Sequence, residues 1–348
     1  MFHLTSITDQ HVWDKTVSSC VYAQFTQSWM WGEFQRSQGR DVRRFFLEDI
    51  QGKPFVAMQL IRFVRHGFGY WFAPRGPVFF DRSVDGLVSS DAPLIRELFE
   101  TCLQGLSKEH LPGLNVFHRF EPCVSLEQGI DMMPLSMRRQ HSMNPASARL
   151  IDLAPSLEAL QREMHEKTRY NIRVAERKGV MVRIGEGEQD EATFLELTKE
   201  TAKRDGFVSH SDAYLLATYR YLQAQGQAQL RFAEVDGKVL AASMEILFGD
   251  TVTYLHGASS STNRDCMAPY ALHWSAIQAA RANGLRWYDL GGMNPNARSS
   301  YYYKTGWEGI SRFKAGWGGR TIDLIGTWDL PVHAWMYRLV FLKGSWRG

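Results

Sequence analysis

Three arginines follow one another at intervals of four residues in the middle of the chain. Arg169, Arg173 and Arg177 lie in the segment K-T-R-Y-N-I-R-V-A-E-R-K, between Lys167 and Lys178. Residues four apart share one face of a helix, so this spacing predicts a stripe of guanidinium groups. Such a stripe can contact the phosphates of an anionic substrate, and the alternative interpretation is a solvated helix face.

The sequence lacks the residues that a zinc, redox or acyl-CoA site would need. The four cysteines have no C-x-x-C spacing, which argues against zinc or redox motifs and fits a reducing cytoplasm. Histidines do not cluster with acids at ligand spacing, so we expect neither a metal nor a cofactor. An acyl-CoA site needs a glycine-rich turn before a helix, but the link 259–270 holds no glycine and contains Pro269.

The composition is that of a globular protein of about two domains. The chain has 348 residues, of which 44% are hydrophobic and 22% charged, and a net charge of +3. This mild positive charge does not by itself indicate nucleic-acid binding. Residues 1–10 lack the pattern of a signal peptide, and no window approaches 18 apolar residues, so we expect a cytoplasmic protein.

Each half of the chain contains a segment that predicts a β-hairpin. Residues 43–63 predict a strand, a turn at Asp49–Lys53 and a second strand. Residues 230–248 place Asp236-Gly237 between two apolar runs, which is a strong hairpin signal. A strand, a helix and a further strand are predicted after each hairpin, at Gly69–Phe72, Ala92–Leu106 and Asn115–Phe120 and again at Val252–His256, Pro269–Ala282 and Arg286–Leu290.

This repetition predicts an α/β fold of two tandem lobes, each a mixed β-sheet flanked by helices. The breaker cluster Asn144–Ser147 places the boundary between a first lobe, 1–147, and a second lobe, 148–320. A helix is predicted from Ser156 to Lys178 at the start of the second lobe. The tail 321–348 is predicted to contain a helix that packs back on the first lobe, and the alternative is a contact with a membrane surface.

Nine short motifs occur in one order along nearly the whole chain. They are Q-S-W-M-W-G-E-F at 27–34, A-P-R-G-P-V at 73–78, R-F-E-P at 119–122, K-T-R-Y-N-I-R-V-A-E-R-K-G-V at 167–180, K-R-D-G-F at 203–207, Y-L-H-G-A-S at 254–259, A-P-Y-A-L-H-W at 268–274, Y-D-L-G-G at 288–292 and F-K-A-G-W-G-G at 313–319. In this combination the chain resembles the Fem family of peptidoglycan-bridge aminoacyltransferases.

The resemblance implies that the two lobes are GNAT-like and that the chain moves an aminoacyl group. The donor would be aminoacyl-tRNA, and the acceptor would be the amine of a UDP-linked or lipid-linked peptidoglycan precursor. A lipid-linked acceptor would bring the protein to the inner face of the membrane. The reaction is the aminolysis of an ester, which needs a neutral amine and a stabilised oxyanion.

Two residues match the positions that the family uses for this chemistry. Lys314, in F-K-A-G-W-G-G, is predicted to stabilise the reacting carbonyl, and the glycines beside it would let backbone approach the substrate. Glu121, in R-F-E-P, is predicted to orient the amine and accept its proton. The alternatives are a solvated lysine before a turn, and a strand-end carboxylate paired with Arg119.

Further residues match family positions that bind the acceptor, with two departures. Tyr214 matches, but His210 stands where compact members have an arginine and would grip a diphosphate less well, a deficit that Arg204 could offset. Gln35, followed by Arg36, stands where the family often has a lysine. These departures weaken the case for a UDP-linked acceptor.

Two residues of one predicted strand complete the expected acceptor site. Tyr254 matches a tyrosine of the family's peptide channel, and His256 replaces a second one. Because they are two apart, we expect both on one face of the strand. In the functional interpretation of the arginine stripe, Arg169 and Arg173 contact phosphates of the tRNA or the precursor.

Three other functions remain open from the sequence. The chain could be a GNAT-type N-acyltransferase that uses acyl-CoA, or a tRNA-dependent transferase whose acceptor amine lies outside peptidoglycan. It could also be a module that only binds wall precursors. A Lys314→Met variant distinguishes the last of these, because a pure binding module should keep its function.

Overall fold

The chain folds into two units, and neither is a single stretch of sequence. The computed structural model describes residues 2–20, 22–65, 67–80, 92–126 and 133–342. The first unit combines 1–148, 294–305 and 322–348, and the second combines 149–293 and 306–321. Residues 294–305, which a single cut after Ser147 would leave in the second lobe, thus belong to the first unit.

The described part of the first unit contains a mixed sheet with helices packed on it. Its elements are β1 (Phe2–Ser6), α1 (Gln10–Ser18), α2 (Trp29–Ser37), β2 (Val42–Asp49), β3 (Pro54–Arg65), β4 (Phe68–Ala73), β5 (Val78–Phe79), α3 (Ala92–Leu106), β6 (Asn115–Phe120), β7 (Arg138–Gln140), β15 (Thr327–Pro331) and α10 (Ala334–Leu342). The strand order is β1-β2-β3-β4-β6-β15-β7, with β5 on β3. Strands β4 and β6 are parallel, and the other described pairs are antiparallel.

The second unit has the same plan. Its elements are β8 (Ser147–Asp152), α4 (Leu157–Glu163), α5 (Glu166–Arg177), β9 (Met181–Ile184), α6 (Gly187–Asp205), α7 (Asp212–Gln223), β10 (Ala228–Val235), β11 (Lys238–Phe248), β12 (Thr251–Ser259), α8 (Ala268–Ala282), β13 (Trp287–Met293), α9 (Glu308–Ala315) and β14 (Arg320–Asp323). The strand order is β14-β8-β13-β12-β11-β10-β9, with β12 parallel to β13. The predicted class, two lobes of mixed sheet flanked by helices, is confirmed.

Both predicted hairpins form where the turn residues require them. At β2–β3, the Asp49 side chain accepts hydrogen bonds from the backbone N–H groups of Gln51 and Lys53. At β10–β11, Asp236 and Gly237 have positive φ values of 50° and 75°. Two successive positive φ values are the mark of a type I′ turn, whose twist matches that of the flanking strands.

The helix predicted from Ser156 to Lys178 is wrong as a single element. Helix α4 ends at Glu163, and α5 begins at Glu166 after an extended His165 whose Nδ1 accepts from the backbone N–H of Lys167. The Ser156 side chain caps α4 by accepting from the backbone N–H of Ala159. The sequence between the helices contains no proline or glycine, so nothing in it signals the break.

Helix α10 lies on the aromatic face of the first sheet. Met336 and Tyr337 pack with Tyr70, Phe72 and Phe117, and Tyr337 donates to the Asp329 carboxylate at 3.0 Å. The part of the predicted tail from 343 to 348 lies outside the described residues. In the ranges given above, no helix is both long enough and apolar enough to cross a bilayer.

Candidate active site

Lys314 is a buried lysine in the last turn of α9. The residue is 6% exposed, and its Nζ donates a hydrogen bond of 2.7 Å to the carbonyl oxygen of Gly292. Burial lowers the pKa of the amine to about 8, and the Asp289 carboxylate opposes part of that shift. The group therefore stays mostly protonated at neutral pH and holds its charge where little water screens it. A solvated lysine, the alternative from the sequence, does not fit this burial.

The motif Y-D-L-G-G forms the strand end that faces this ammonium. Gly291 has a φ of +73°, and a Cβ there would lie 3.2 Å from the carbonyl oxygen of Tyr254 and 3.7 Å from Lys314 Nζ. The Asp289 side chain accepts from the Gly291 N–H at 2.7 Å and so fixes the turn. Glycine is needed here both for the backbone angle and for the close approach.

His273 is a residue beside Lys314 to which the sequence assigned no role. It lies in the motif A-P-Y-A-L-H-W, on α8, and its Nδ1 is 2.9 Å from the hydroxyl of Tyr288. Its ring lies 4.6 Å from that of Tyr254. Burial, with smaller contributions from Lys314 and Arg231, lowers the pKa of this imidazole to about 3. The ring is thus neutral at neutral pH and does not compete with the nearby ammonium for negative charge.

A buried ion pair lies under α8 on the same face of the sheet. Arg231 donates two hydrogen bonds, of 2.9 and 3.0 Å, to the carboxylate of Glu245. That carboxylate also accepts from Gln229 and Ser243. Because its polar groups are paired with one another, the network can lie in the interior and hold strands β10 and β11 in register.

These contacts indicate which chemistry the surroundings of Lys314 favour. A fixed ammonium with a glycine turn before it can stabilise negative charge that develops on a carbonyl oxygen. The Tyr254 ring, 5.8 Å from Nζ, borders the same position. Oxyanion stabilisation is the chemistry that this arrangement favours.

Glu121 accepts hydrogen bonds from backbone and side-chain groups of the first unit, to which it belongs. Its Oε1 accepts from the N–H groups of Met143 and Asn144 at 3.0 and 2.9 Å and from the Thr327 hydroxyl at 2.7 Å. Its Oε2 accepts from the Asn144 side-chain amide at 2.6 Å. These contacts indicate that the carboxylate anchors the 143–144 loop, while its predicted role as a proton acceptor stays a prediction.

The predicted ion pair between Glu121 and Arg119 is replaced by another. Arg119 instead forms two hydrogen bonds with the Asp329 carboxylate, of 2.7 and 2.9 Å, across strands β6 and β15. The partner lies 210 residues away in the sequence, so local spacing could not identify it.

A β-bulge in β12 separates the two residues that we expected on one face. Tyr254 pairs with Glu245, and His256 pairs with Met244, so Leu255 is an extra residue between them. Directly paired residues share a face, and the neighbours Met244 and Glu245 point to opposite faces. The expectation is therefore wrong: Tyr254 faces α8 and Lys314, whereas His256 faces the other side.

His256 meets two of the other predicted acceptor residues on that second face. The exposed ring of His210 lies 5.7 Å from that of His256 and 5.0 Å from that of Tyr214. His210 precedes α7, whose cap is Ser211, so it lies outside the helix that carries Tyr214. Burial and the nearby His210 lower the pKa of His256 to about 4.

Three further predicted residues make contacts that serve their own units. Arg204 donates to the carbonyl of Ser259 at 2.7 Å and forms two hydrogen bonds with Asp205. Gln35 is buried and accepts from Arg40. Arg36 pairs with Glu33 at 2.8 Å and donates to the carbonyl of Val42 at 3.1 Å. The structure thus brings His210, Tyr214 and His256 together, and Lys314 with Tyr254, but places Gln35 and Arg36 in the first unit.

The arginine stripe on α5 divides into two parts. Arg169 donates to the carbonyls of Gln161 and Met164 and so closes the end of α4. Arg173 and Arg177 are exposed one and two turns later. Only these two outer arginines are placed as a phosphate contact requires.

The glycines after Lys314 serve packing within the second unit. A Cβ at Gly316 would lie 2.6 Å from the Thr168 hydroxyl, and one at Gly319 would lie 2.3 Å from the carbonyl of Leu150. Gly318 similarly meets the backbone of Glu163. The structure thus gives these glycines a packing role between α9, β14 and the neighbouring segments, and their expected approach to a substrate stays a prediction.

In the link between β12 and α8, a carboxylate already accepts from a backbone N–H group of the kind that a pyrophosphate would need. The Glu200 carboxylate accepts from the backbone N–H of Ser261, and the Ser260 hydroxyl also contacts it. A carboxylate at this position repels a pyrophosphate. In the described ranges, no group of three histidine, cysteine or acidic residues converges as a metal site would need.

Comparisons with known proteins agree on one family. A family model described as the FemAB family matches residues 127–238 and 219–342. A lipid II:glycine glycyltransferase from Staphylococcus saprophyticus is 26% identical over 204 residues, which are 58% of this chain and 42% of that protein. A lipid II:glycine glycyltransferase from Staphylococcus haemolyticus is 20% identical over 329 residues, covering 72% and 76% of the two chains.

The match to the first of these relatives spans less than half of its length. Among solved structures, a crystal structure of FemX superposes with a TM-score of 0.78, covering 97% of this chain and 99% of that one at 18% identity. At this identity the likeness concerns the fold, which the two chains share.

Proposed function

Because this chain belongs to the FemAB family, we propose that it is an acyltransferase that moves an aminoacyl group from aminoacyl-tRNA to an amine of a peptidoglycan precursor. The resemblance inferred from the nine motifs is confirmed by the family match. The names of the staphylococcal relatives support acyl transfer. The observation that carries the proposal is the buried Lys314 ammonium beside the glycine turn of β13.

In the proposed reaction, the neutral amine of the acceptor attacks the ester carbonyl of the donor. A carbon–nitrogen bond forms, the carbonyl oxygen gains negative charge, and Lys314 stabilises that charge. The carbon–oxygen bond to the ribose then breaks. The proton that the attacking nitrogen releases balances the proton that the ribose oxygen takes up. Glu121 holds the 143–144 loop, and its predicted role as the acceptor of that proton is what the Glu121→Gln variant tests.

The proposed acceptor is lipid-linked, as in the names of the relatives. His210 stands where compact family members have an arginine, and its ring contacts His256 and Tyr214. An imidazole grips a diphosphate less strongly than a guanidinium does. Because a lipid-linked precursor also carries a diphosphate, this departure does not choose between the two precursors, and the choice rests on the names of the relatives. We propose that the reaction takes place at the inner face of the membrane. The UDP-linked precursor is the alternative that the assay separates, and an acceptor outside peptidoglycan is a further alternative.

A mass-shift assay tests the proposal. The purified protein is incubated with a lipid-linked or a UDP-linked precursor as the acceptor, and in each case with either a charged tRNA pool or acetyl-CoA as the donor. We expect one or more aminoacyl additions to the lipid-linked acceptor, and a loss of about 10²–10³-fold in the rate for Lys314→Met. The matched control is Lys199→Met, which removes an exposed lysine of the same unit and should keep the wild-type rate.

Two results would overturn the proposal. One is acetylation from acetyl-CoA with no mass gain from charged tRNA. The other is an unchanged rate in a folded Lys314→Met variant, because the ammonium would then have no part in the reaction.

A further inference from the structure

Asp289 is a buried carboxylate on β13, two residues before the glycine that faces Lys314. The residue is 3% exposed, and one of its oxygens accepts from the Gly291 N–H at 2.7 Å. The next residue, Gly292, carries the carbonyl oxygen that accepts from Lys314 Nζ, also at 2.7 Å. The carboxylate thus fixes the backbone segment whose carbonyl binds the ammonium.

The backbone at Gly291 is where such a contact has the most effect. A glycine has more backbone conformations available than any other residue, so its neighbours are poorly fixed unless its N–H is held. The hydrogen bond from Gly291 to Asp289 holds that N–H in the left-handed conformation, at a φ of +73°. The position of the Gly292 carbonyl, and with it that of Lys314, therefore depends on Asp289.

The same carboxylate places a negative charge near the ammonium. Burial lowers the pKa of Lys314 to about 8, and the charge of Asp289 raises it again in part. Without that charge, a larger share of the amine would be neutral at pH 7. A neutral amine stabilises an oxyanion less well than an ammonium does.

The neighbouring rings of the second unit provide no charge of this kind. Burial lowers the pKa of His273, on α8, to about 3, so its imidazole is neutral. Burial raises the pKa of two phenols, those of Tyr254 on β12 and Tyr288 on β13, so they too are neutral. None of these three rings can balance the charge of Lys314 at neutral pH.

The charged groups of the neighbouring elements are paired, exposed or of the wrong sign. Arg149, on β8, is a cation that donates to a carbonyl at the end of α9. The Glu245 carboxylate forms two hydrogen bonds with Arg231. Glu163, at the end of α4, is exposed, so water and salt screen its charge. Among these groups of the second unit, Asp289 is the buried carboxylate that can balance the ammonium.

We propose that Asp289 is a positioning residue, which holds the Lys314 ammonium in place through the Gly291-Gly292 turn and supplies its counter-charge. This inference rests on the proposed function, in which the ammonium stabilises the oxyanion. Asp289 acts through Lys314 and not on the substrate itself.

The test compares the transfer rates of the wild type and of Asp289→Asn at pH 6, 7 and 8 in the mass-shift assay. Asparagine keeps an oxygen for the Gly291 N–H but lacks the charge, so the pKa of Lys314 should fall further. The ratio of the two rates cancels the titration of the acceptor amine, which is the same for both enzymes. We expect the variant to be about two- to tenfold slower at pH 7, with a smaller deficit at pH 6 and a larger one at pH 8.

The matched control is Asp190→Asn. Asp190 is another buried carboxylate of the second unit, and it also accepts from a backbone N–H at 2.7 Å. The rate of this control relative to the wild type should not change with pH. A role that is only structural would give Asp289→Asn the same constant ratio.

Thermal unfolding in two backgrounds provides a second measurement. Asp289→Asn should lower the unfolding midpoint more in the wild type than in Lys314→Met, because the double variant has no ammonium to balance. If Asp289→Asn alone fails to fold, recovery of the fold in the double variant supports the inference, and failure of both variants overturns it.

The outcomes separate this inference from the proposed function. A rate deficit that stays constant from pH 6 to pH 8 overturns the inference, and so does an equal change of the unfolding midpoint in both backgrounds. The proposed transfer stands in either case. If the wild type transfers nothing from charged tRNA, the proposed function fails, while the unfolding midpoints still decide whether Asp289 holds Lys314.

Discussion

Burial of the Lys314 amine destabilises the folded state, so Lys314→Met should raise the free energy of unfolding. The pKa of the amine falls from 10.5 to about 8 on folding, so below pH 8 the folded state carries a penalty of up to about 3 kcal/mol. We expect Lys314→Met to raise the free energy of unfolding at pH 7 by about 1–3 kcal/mol while it lowers the transfer rate by about 10²–10³-fold. Urea denaturation and the transfer assay together measure both effects.

The sign of the pH dependence provides a check on this account. Between about pH 8 and 10.5 the unfolded chain binds a proton that the folded chain has released, so Lys314 contributes stability that rises with pH in this window. Lys314→Met should remove that rise, whereas the control Lys199→Met should keep it. An unfolding free energy for Lys314→Met that is lower than the wild type's at pH 7 would contradict the explanation.

Glu121→Gln should separate a structural carboxylate from a catalytic one. Glutamine would turn one acceptor oxygen into a donor that faces the N–H groups or the amide now bonded to Glu121. We expect a loss of about 1–3 kcal/mol in unfolding free energy and less than a tenfold change in the rate of the folded enzyme. A loss of rate above a hundredfold without any loss of stability would instead establish Glu121 as the proton acceptor.

We expect different effects from replacing Arg169, at the corner between α4 and α5, and Arg173, on the exposed face of α5. Arg169→Ala removes hydrogen bonds to the last carbonyls of α4 and should lower the unfolding free energy by about 1–2 kcal/mol. Arg173→Ala should leave stability unchanged. If the stripe contacts tRNA phosphates, this variant should reduce the salt dependence of tRNA binding by about one ion.

Salt titrations of tRNA binding and thermal unfolding of both arginine variants provide the comparison. If tRNA binding by Arg173→Ala and by the wild type depends equally on salt, the arginine stripe is a solvated helix face.

Elements whose signal is local could be predicted from the sequence alone, whereas irregular elements without such a signal could not. The hairpins were predictable because Asp236-Gly237 and the Asp49 side chain fix their turns locally. The β12 bulge was not, because one extra residue, Leu255, reverses the face of everything beyond it without a marker in the sequence. The break between α4 and α5 was not predictable either, because the His165 N–H at the break donates to the carbonyl of Gly316, a residue far away in the sequence.

The same distinction applies to the candidate site. Lys314 was found from its motif, and the structure adds the burial that makes its charge useful. His273 lay in a quoted motif but could not be assigned, because its position depends on contacts with Tyr254 and Tyr288 from other strands. Polar contacts between residues far apart in sequence are set by the fold and by nothing local.

Three histidines, of which His273 is buried and His118 and His256 are partly buried, should destabilise the fold in acid. Burial lowers the pKa of His118, in the first unit, to about 4, that of His256 to about 4 and that of His273 to about 3, the last two in the second unit. An unfolded histidine has a pKa near 6.5, so below that pH the unfolded chain binds protons that the folded chain does not.

Stability should therefore fall as the pH drops from about 6.5 to about 4, by up to about 1.4 kcal/mol per pH unit for each histidine. Because His256 and His273 both lie in the second unit, we expect that unit to lose hydrogen-exchange protection first at pH 5. His256→Gln, which cannot take up a proton, should reduce the slope of unfolding free energy against pH by the share of one histidine. Hydrogen exchange at pH 7 and pH 5 measures the order of opening, and earlier loss of protection around His118 would show that other groups control the acid response.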